Sequence, residues 1–251
     1  MIGTVHRYLG ILAFSLLVLC GISGRQASEI AVKDGQTIAL VGDSITDDGW
    51  NNPTGYVKLT VAGLKANGIR VASIPAGIRG DTSDQMLERL KRDVLDKKPG
   101  WMILSSGVND ARGVPLARYK TNITAIVDRC KAAGVKVVIL TATVIGEDLD
   151  NEDNKKLALY NEFLRSLAKE KKCLLADLNA MFHERIKASR KPGHLLTSDG
   201  IHMNPAGDKV MAMGILRAFG LNIAQIGKAE ETWMTIRGDV NRRAVFMCSL
   251  L

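Results

Sequence analysis

Four short runs of this 251-residue chain hold residues able to do acyl-transfer chemistry: GDSIT at 42–46, AGIRGDTS at 76–83, SGVND at 106–110 and SDGIH at 198–202. Serine attack on an ester needs a base in reach, a group that orients the base, and donors aimed at the oxyanion formed on attack. Ser44 is the candidate nucleophile. Asp199 and His202 are three residues apart, which lets the carboxylate accept from one imidazole nitrogen while the other faces a hydroxyl. For the oxyanion, backbone N–H groups are the simplest donors and glycine lets a carbonyl approach closely. Ser44 and Gly80 offer such N–H groups, and Asn109 offers a side-chain amide. Each run taken alone also has an ordinary reading, because Gly, Asp, Asn and Ser favour turns and helix caps for backbone reasons. His183 and His194 lack a constellation around them in sequence and read as surface groups. No H-E-x-x-H or cysteine pair appears, so a metal site is not expected.

These runs punctuate a regular alternation of elements. TIALVG, VASIP, WMILSS, VKVVILTA and CLLADL read as strands, and amphipathic segments with a spacing near 3.6 lie between them, among them GYVKLTVAGLKANG, DQMLERLKRDVLDKK, LARYKTNITAIVDRCKAAG and NKKLALYNEFLRSLAKEKK. Strands so uniformly apolar are covered on both faces, and repeated β-then-α predicts an α/β fold: a three-layer αβα sandwich around a five-stranded parallel sheet. With right-handed crossovers the flavodoxin-like order 2-1-3-4-5 is among the commonest arrangements. It opens a crevice beyond the carboxyl ends of the first and third strands, where GDS and SSGVND fall. A further helix is expected over NPAGDKVMAMGILRAFG, after the HLLTSDGIH loop. Residues 221–251 lack sustained periodicity and read as an extension of unassigned role.

The four runs in this order resemble the four sequence blocks of the SGNH hydrolases, also called GDSL esterases and lipases, from about Ile38 to about Leu216. The resemblance implies Ser44 as nucleophile, His202 as base, Asp199 as its orienting acid, and Ser44, Gly80 and Asn109 as the oxyanion hole, with no metal or cofactor. Asp43 and Asp110 belong to the blocks and read as loop-stabilising acceptors. Ile45 stands for the customary leucine, Pro75 for a frequent asparagine, and Arg79 precedes the glycine, so the pocket wall is expected to differ there. The family's substrates run from acetylated sugars to lipids and thioesters.

Composition narrows the reading. Residues 1–27 combine a weakly basic start, a 14-residue apolar run and small residues suited to cleavage, which predicts a secretory signal peptide and an exported protein; the run is short for a membrane anchor. Residues 28–220 then form the hydrolase domain. Without Arg7 and Arg25, 32 basic side chains face 26 acidic ones, scattered and without the aromatic-interleaved stripe that tracks nucleic acid. Cys130, Cys173 and Cys248 remain; Cys130 and Cys173 could pair in an oxidising compartment, but burial as small apolar residues is the simpler expectation. Asn122 heads an N-I-T sequon. Low aromatic content and the absence of an apolar lid point to a short acyl group on a polar carrier, with an O-acetylated glycan as the expected substrate. A lipid esterase and an inactive carbohydrate-binding protein are the alternatives.

Overall fold

The computed structural model describes residues 29–189 and 193–248, with side chains through Ile236; the leader assigned to residues 1–27 and the Cys248 side chain lie outside them. Strands β1 (Thr37–Gly42), β2 (Ala72–Gly77), β3 (Trp101–Ser105), β4 (Lys136–Leu140) and β5 (Leu174–Ala176) form one parallel sheet in the order β2-β1-β3-β4-β5. Flanking helices complete the expected α/β architecture. They are α1 (Ser44–Asn51), α2 (Tyr56–Ala66), α3 (Ser83–Asp93), α4 (Val108–Gly113), α5 (Leu116–Ala132), α6 (Glu152–Glu170), α7 (Leu178–Ser189), α8 (Pro205–Ala218) and α9 (Ile223–Cys248). Helices α3, α5 and α6 pack as neighbours, and α2, α7, α8 and α9 form a second packed group. Right-handed crossovers demand this division, because the winding reverses after β2.

Every residue of β3 is buried, as are Ile38 to Gly42 of β1, which explains their unbroken apolar sequence. The covered-on-both-faces expectation fails for β2, where only Ala76 is buried and the other five residues are exposed or half-buried, because it is the sheet's edge. It also runs to Gly77, two residues past VASIP. Pro75 is tolerated there because an edge strand has one side free of ladder bonds.

The strand ends converge in register. Gly42 of β1 lies opposite Gly77 of β2, and Val41 opposite Leu104 of β3. At both glycines a Cβ would collide with α1: it would sit 2.0 Å from Thr46 Oγ1 at position 42 and 2.5 Å from the Asp47 nitrogen at position 77. Bare backbone at these two places lets the first turn of α1 seat on the carboxyl edge of the sheet.

The segment beyond Leu221 is not a loose appendage over its described side chains. Helix α9 lies against α2, burying Ala229 and Trp233, and the Trp233 indole donates to the Leu59 carbonyl at 2.8 Å. Gly63 makes room for this contact, since a Cβ there would stand 2.6 Å from Leu216 Cδ1 and 3.1 Å from Ala229 Cβ.

Cys130 and Cys173 are free thiols, the first buried with its Sγ 3.5 Å from the Met102 sulfur. The sequon's Asn122 is buried in α5, donating to Ser83 Oγ at 3.1 Å and Asp84 Oδ1 at 2.7 Å, so its amide joins two helices.

Candidate active site

The sequence reading assigns no element between TIALVG and GYVKLTVAGLKANG; the structure places a helix there, immediately after Asp43. Asp43 is the N-cap of α1, accepting from the Ile45 N–H at 2.9 Å, and Ser44 is the first helical residue. The serine therefore stands at the helix end where unpaired N–H groups and the positive end of the macrodipole favour negative charge. Asp43 is buried against Asp110, and burial, with that second carboxylate adding, pushes its carboxyl up to about 6. Asp110 in turn accepts from the Ser83 N–H at 2.8 Å and the Ser106 hydroxyl at 3.0 Å. Both aspartates fix loops at the carboxyl edge of the sheet.

Residues separated by 158 positions meet in one hydrogen-bonded chain. His202 Nε2 lies 2.9 Å from Ser44 Oγ, and His202 Nδ1 lies 2.6 Å from Asp199 Oδ2. The other Asp199 oxygen accepts from the Ile201 and His202 N–H groups at 2.9 and 2.8 Å, so the three-residue spacing closes a tight loop around the carboxylate. Burial alone would raise the Asp199 pKa; the bonds from the His202 ring and from the two backbone groups outweigh it and hold the carboxyl at about 2.

Gly80 sits in the β2–α3 loop with φ +82°, a left-handed conformation that disfavours any side chain although the space is open. Neither its N–H nor that of Ser44 donates to another group among the described residues. Asn109, in the first turn of α4, donates from Nδ2 to the Asp81 carbonyl at 2.9 Å. An amide carries two hydrogens, so this bond orients the group without exhausting it. Gly80, Asn109 and Ser44 thus come from three separate strand-to-helix junctions at one edge of the sheet.

Sequence reasoning missed the groups that hold the Asp199–His202 loop. Glu147, in the segment after β4, accepts through Oε1 from the Leu196 N–H, the Thr197 N–H and the Thr197 hydroxyl, and through Oε2 from the Leu195 N–H, all at 2.6–2.8 Å. Burial works against the charge, but these donors prevail and lower the Glu147 pKa. The Gly146 N–H adds a bond to the Gly200 carbonyl at 2.7 Å. His194 is exposed, as expected of a surface group, and its Nδ1 donates to the Ser198 carbonyl at 3.0 Å. His183 is half-buried on α7, 3.2 Å from the Asn179 amide nitrogen, and burial depresses its pKa. No linear spacing links Glu147 to residues 195–197; its only signal is an acid in the loop that follows a strand.

Gly80 and Asp199 are exposed, and the exposed Arg79 guanidinium pairs with Asp48 at 2.5 Å and Asp47 at 3.5 Å. Among the described residues no group of three or more His, Cys, Asp or Glu side chains is arranged to hold a metal ion, and no helix is long and apolar enough to cross a membrane.

A profile of the GDSL-like lipase/acylhydrolase family matches residues 40–210. The acetylxylan esterase of Geobacillus stearothermophilus is 27% identical over 214 residues, spanning 75% of this chain and 96% of that protein. Its crystal structure superposes with a TM-score of 0.70, covering 76% of this chain and 97% of the esterase at 25% identity. The esterase TesA of Pseudomonas aeruginosa is 34% identical over 107 residues, 42% of this chain and 53% of TesA.

Proposed function

The chain belongs to the GDSL-like lipase/acylhydrolase family and is a carboxylic ester hydrolase, and we propose that it acts through an acyl-enzyme on Ser44, removing O-acetyl or other short acyl groups from a carbohydrate. His202 Nε2 takes the Ser44 proton as Oγ attacks the ester carbon, and Asp199 steadies the imidazolium through Nδ1. The N–H groups of Ser44 and Gly80, with the Asn109 amide, receive the oxyanion. The alcohol leaves with the proton from His202. Water then enters, gives its proton to the same imidazole and releases the carboxylic acid, so the cycle needs neither metal nor cofactor. The observation that carries this reading is the unbroken hydrogen-bonded chain Ser44–His202–Asp199 at a helix N-terminus.

A chromogenic acetate ester tests it. Ser44→Ala abolishes turnover and labelling by a fluorophosphonate probe, and Asn109→Ala lowers kcat by about 10²–10³, the range for loss of one oxyanion donor. Wild-type rates in both variants would remove the mechanism. Fluorophosphonate labelling of Ser44 also separates an enzyme from an inactive carbohydrate-binding protein.

For the substrate, support comes from the charged cluster of exposed Arg79 with half-buried Asp47 and Asp48 on the helix that begins at Ser44, which suits a hydroxylated alcohol better than an acyl tail, and from the acetylxylan esterase likeness. A series of acyl esters from two carbons upward, with acetylated xylo-oligosaccharides alongside, decides the matter: preference for long chains would favour a lipid esterase. The leader-like residues 1–27 make the working compartment extracytoplasmic in this proposal, and N-terminal sequencing of the mature protein checks it.

A further inference from the structure

Helix α3 carries an arginine where its apolar stripe should be. Ser83, Met86 and Leu90 are buried at helical spacing, and Arg89 is buried with them at 6% exposure. All three of its guanidinium nitrogens donate. Nε donates to Asp81 Oδ2 at 2.6 Å, Nη1 to Asp93 Oδ2 at 3.2 Å, and Nη2 to two main-chain carbonyls, Ala76 at 2.8 Å and Gly42 at 3.1 Å. The Gly42 carbonyl also accepts from the Ile78 N–H at 3.1 Å.

These partners are not scattered. Gly42 is the last residue of β1, two before Ser44; Ala76 is the penultimate residue of β2; Asp81 follows Gly80 directly. One planar cation thus grips the backbone leading into both proposed main-chain oxyanion donors. Asn109 holds the same loop from its other side, through the Asp81 carbonyl. Burying an arginine and an aspartate together costs desolvation that an apolar pair of similar size avoids. An apolar pair could hold α3 on the sheet; it could not tie two strand-end carbonyls and the Asp81 carboxylate to one rigid plane.

We propose that Arg89 is a positioning residue for the oxyanion hole, fixing the separation of the Ser44 and Gly80 N–H groups through Gly42 and Asp81. This rests on the acyl-serine reading above. Arg89 touches no substrate; it acts on the placement of donors whose value depends on a fit of a fraction of an ångström. Lysine keeps the charge, but a single ammonium lacks the planar fork needed to serve Asp81, Gly42 and Ala76 at once.

The test compares wild type, Arg89→Lys and Arg89→Ala on p-nitrophenyl acetate, together with inhibition by a methyl trifluoromethyl ketone, whose serine adduct carries an oxyanion. For Arg89→Lys, kcat should fall by about 10²-fold, the cost of a misplacement near 1 Å. KM should change by less than about threefold, and the ketone Ki should rise in parallel with the fall in kcat, as a transition-state mimic requires. Arg89→Ala should regain part of its kcat with millimolar guanidinium; should that variant fail to fold, Arg89→Lys carries the test alone. An Arg89→Lys enzyme that is less heat-stable but has kcat and ketone Ki within about threefold of wild type would reduce Arg89 to a structural brace and overturn the proposal. Ser44→Ala assayed in parallel separates the two readings: turnover surviving in that variant would sink the acyl-serine mechanism itself, whereas a dead Ser44→Ala beside an unimpaired Arg89→Lys would sink this inference alone.

Discussion

Asp199 keeps its charge down to about pH 2, because the His202 ring and two backbone N–H groups hold the ionised form against the effect of burial. In the proposed relay this carboxylate sets which imidazole nitrogen carries the proton, leaving Nε2 free to accept from Ser44. Asp199→Asn removes that instruction while nearly preserving shape. It should lower kcat on an acetate ester by about 10³–10⁴-fold, with KM little changed, in steady-state kinetics at neutral pH. A drop of less than tenfold would mean that Asp199 serves the loop and not the imidazole. Since Asp199 stays ionised well below any working pH, an acidic limb of the rate profile must belong to another group.

Elements act here as rigid carriers. Helix α1 seats on Gly42 and Gly77 at the sheet edge, its Thr46 hydroxyl 2.9 Å from the Tyr56 hydroxyl of α2, and α2 is backed by α9 through Trp233. Support for the Ser44 helix thus runs from the sheet through α2 to a segment whose sequence shows no clear periodicity. Trp233→Ala empties a fully buried site and leaves the Leu59 carbonyl without its indole donor. The expected loss is about 3–5 kcal/mol of unfolding free energy, read as a lower urea midpoint, with kcat of the folded fraction within about threefold of wild type. A change below 1 kcal/mol would show α9 to be dispensable to the body.

Across the molecule, buried carboxyls of opposite tendency set the pH range of stability. Asp43, at about 6, and Asp208, at about 7, are raised chiefly by burial, and Asp110 is raised for the same reason. The folded protein therefore holds protons that the unfolded chain releases near pH 4, and stability falls as pH rises from about 4 to 7. Asp199, Asp177 and Glu147 are lowered by their hydrogen bonds and ion pairs; their contribution is complete above the ordinary carboxyl range and is lost as pH falls through their folded values. Thermal stability should peak near the ordinary carboxyl pKa, at about pH 4. Asp208, whose Oδ1 accepts from the Tyr56 N–H at 2.8 Å, offers the cleanest test. Asp208→Asn keeps an acceptor without the charge, so its stability relative to wild type should climb with pH by up to about 1.4 kcal/mol per unit between pH 4 and 7 and then level off. A pH-independent difference in denaturant titrations would reject this account.

Sequence alone determined the alternation of elements, the parallel sheet with its reversal beside the first strand, and the candidates Ser44, Gly80, Asn109, Asp199 and His202. These were legible because apolar periodicity is local, and because each candidate lies at a strand end or in a short loop with its own punctuation. Tertiary structure alone decided the helical start at Ser44, the edge character of β2, the docking of α9, and the roles of Arg89 and Glu147. Apart from Asp93, one turn further along α3, the arginine has no partner within a few residues, and the glutamate's donors are some fifty positions away. Their acceptors and donors, at Gly42, Ala76 and Asp81 for one and at residues 195–197 for the other, lie along the chain at distances that spacing cannot read. Only folding brings those strand ends and loops together, and only then does a buried charge find the hydrogen bonds that allow it to stay.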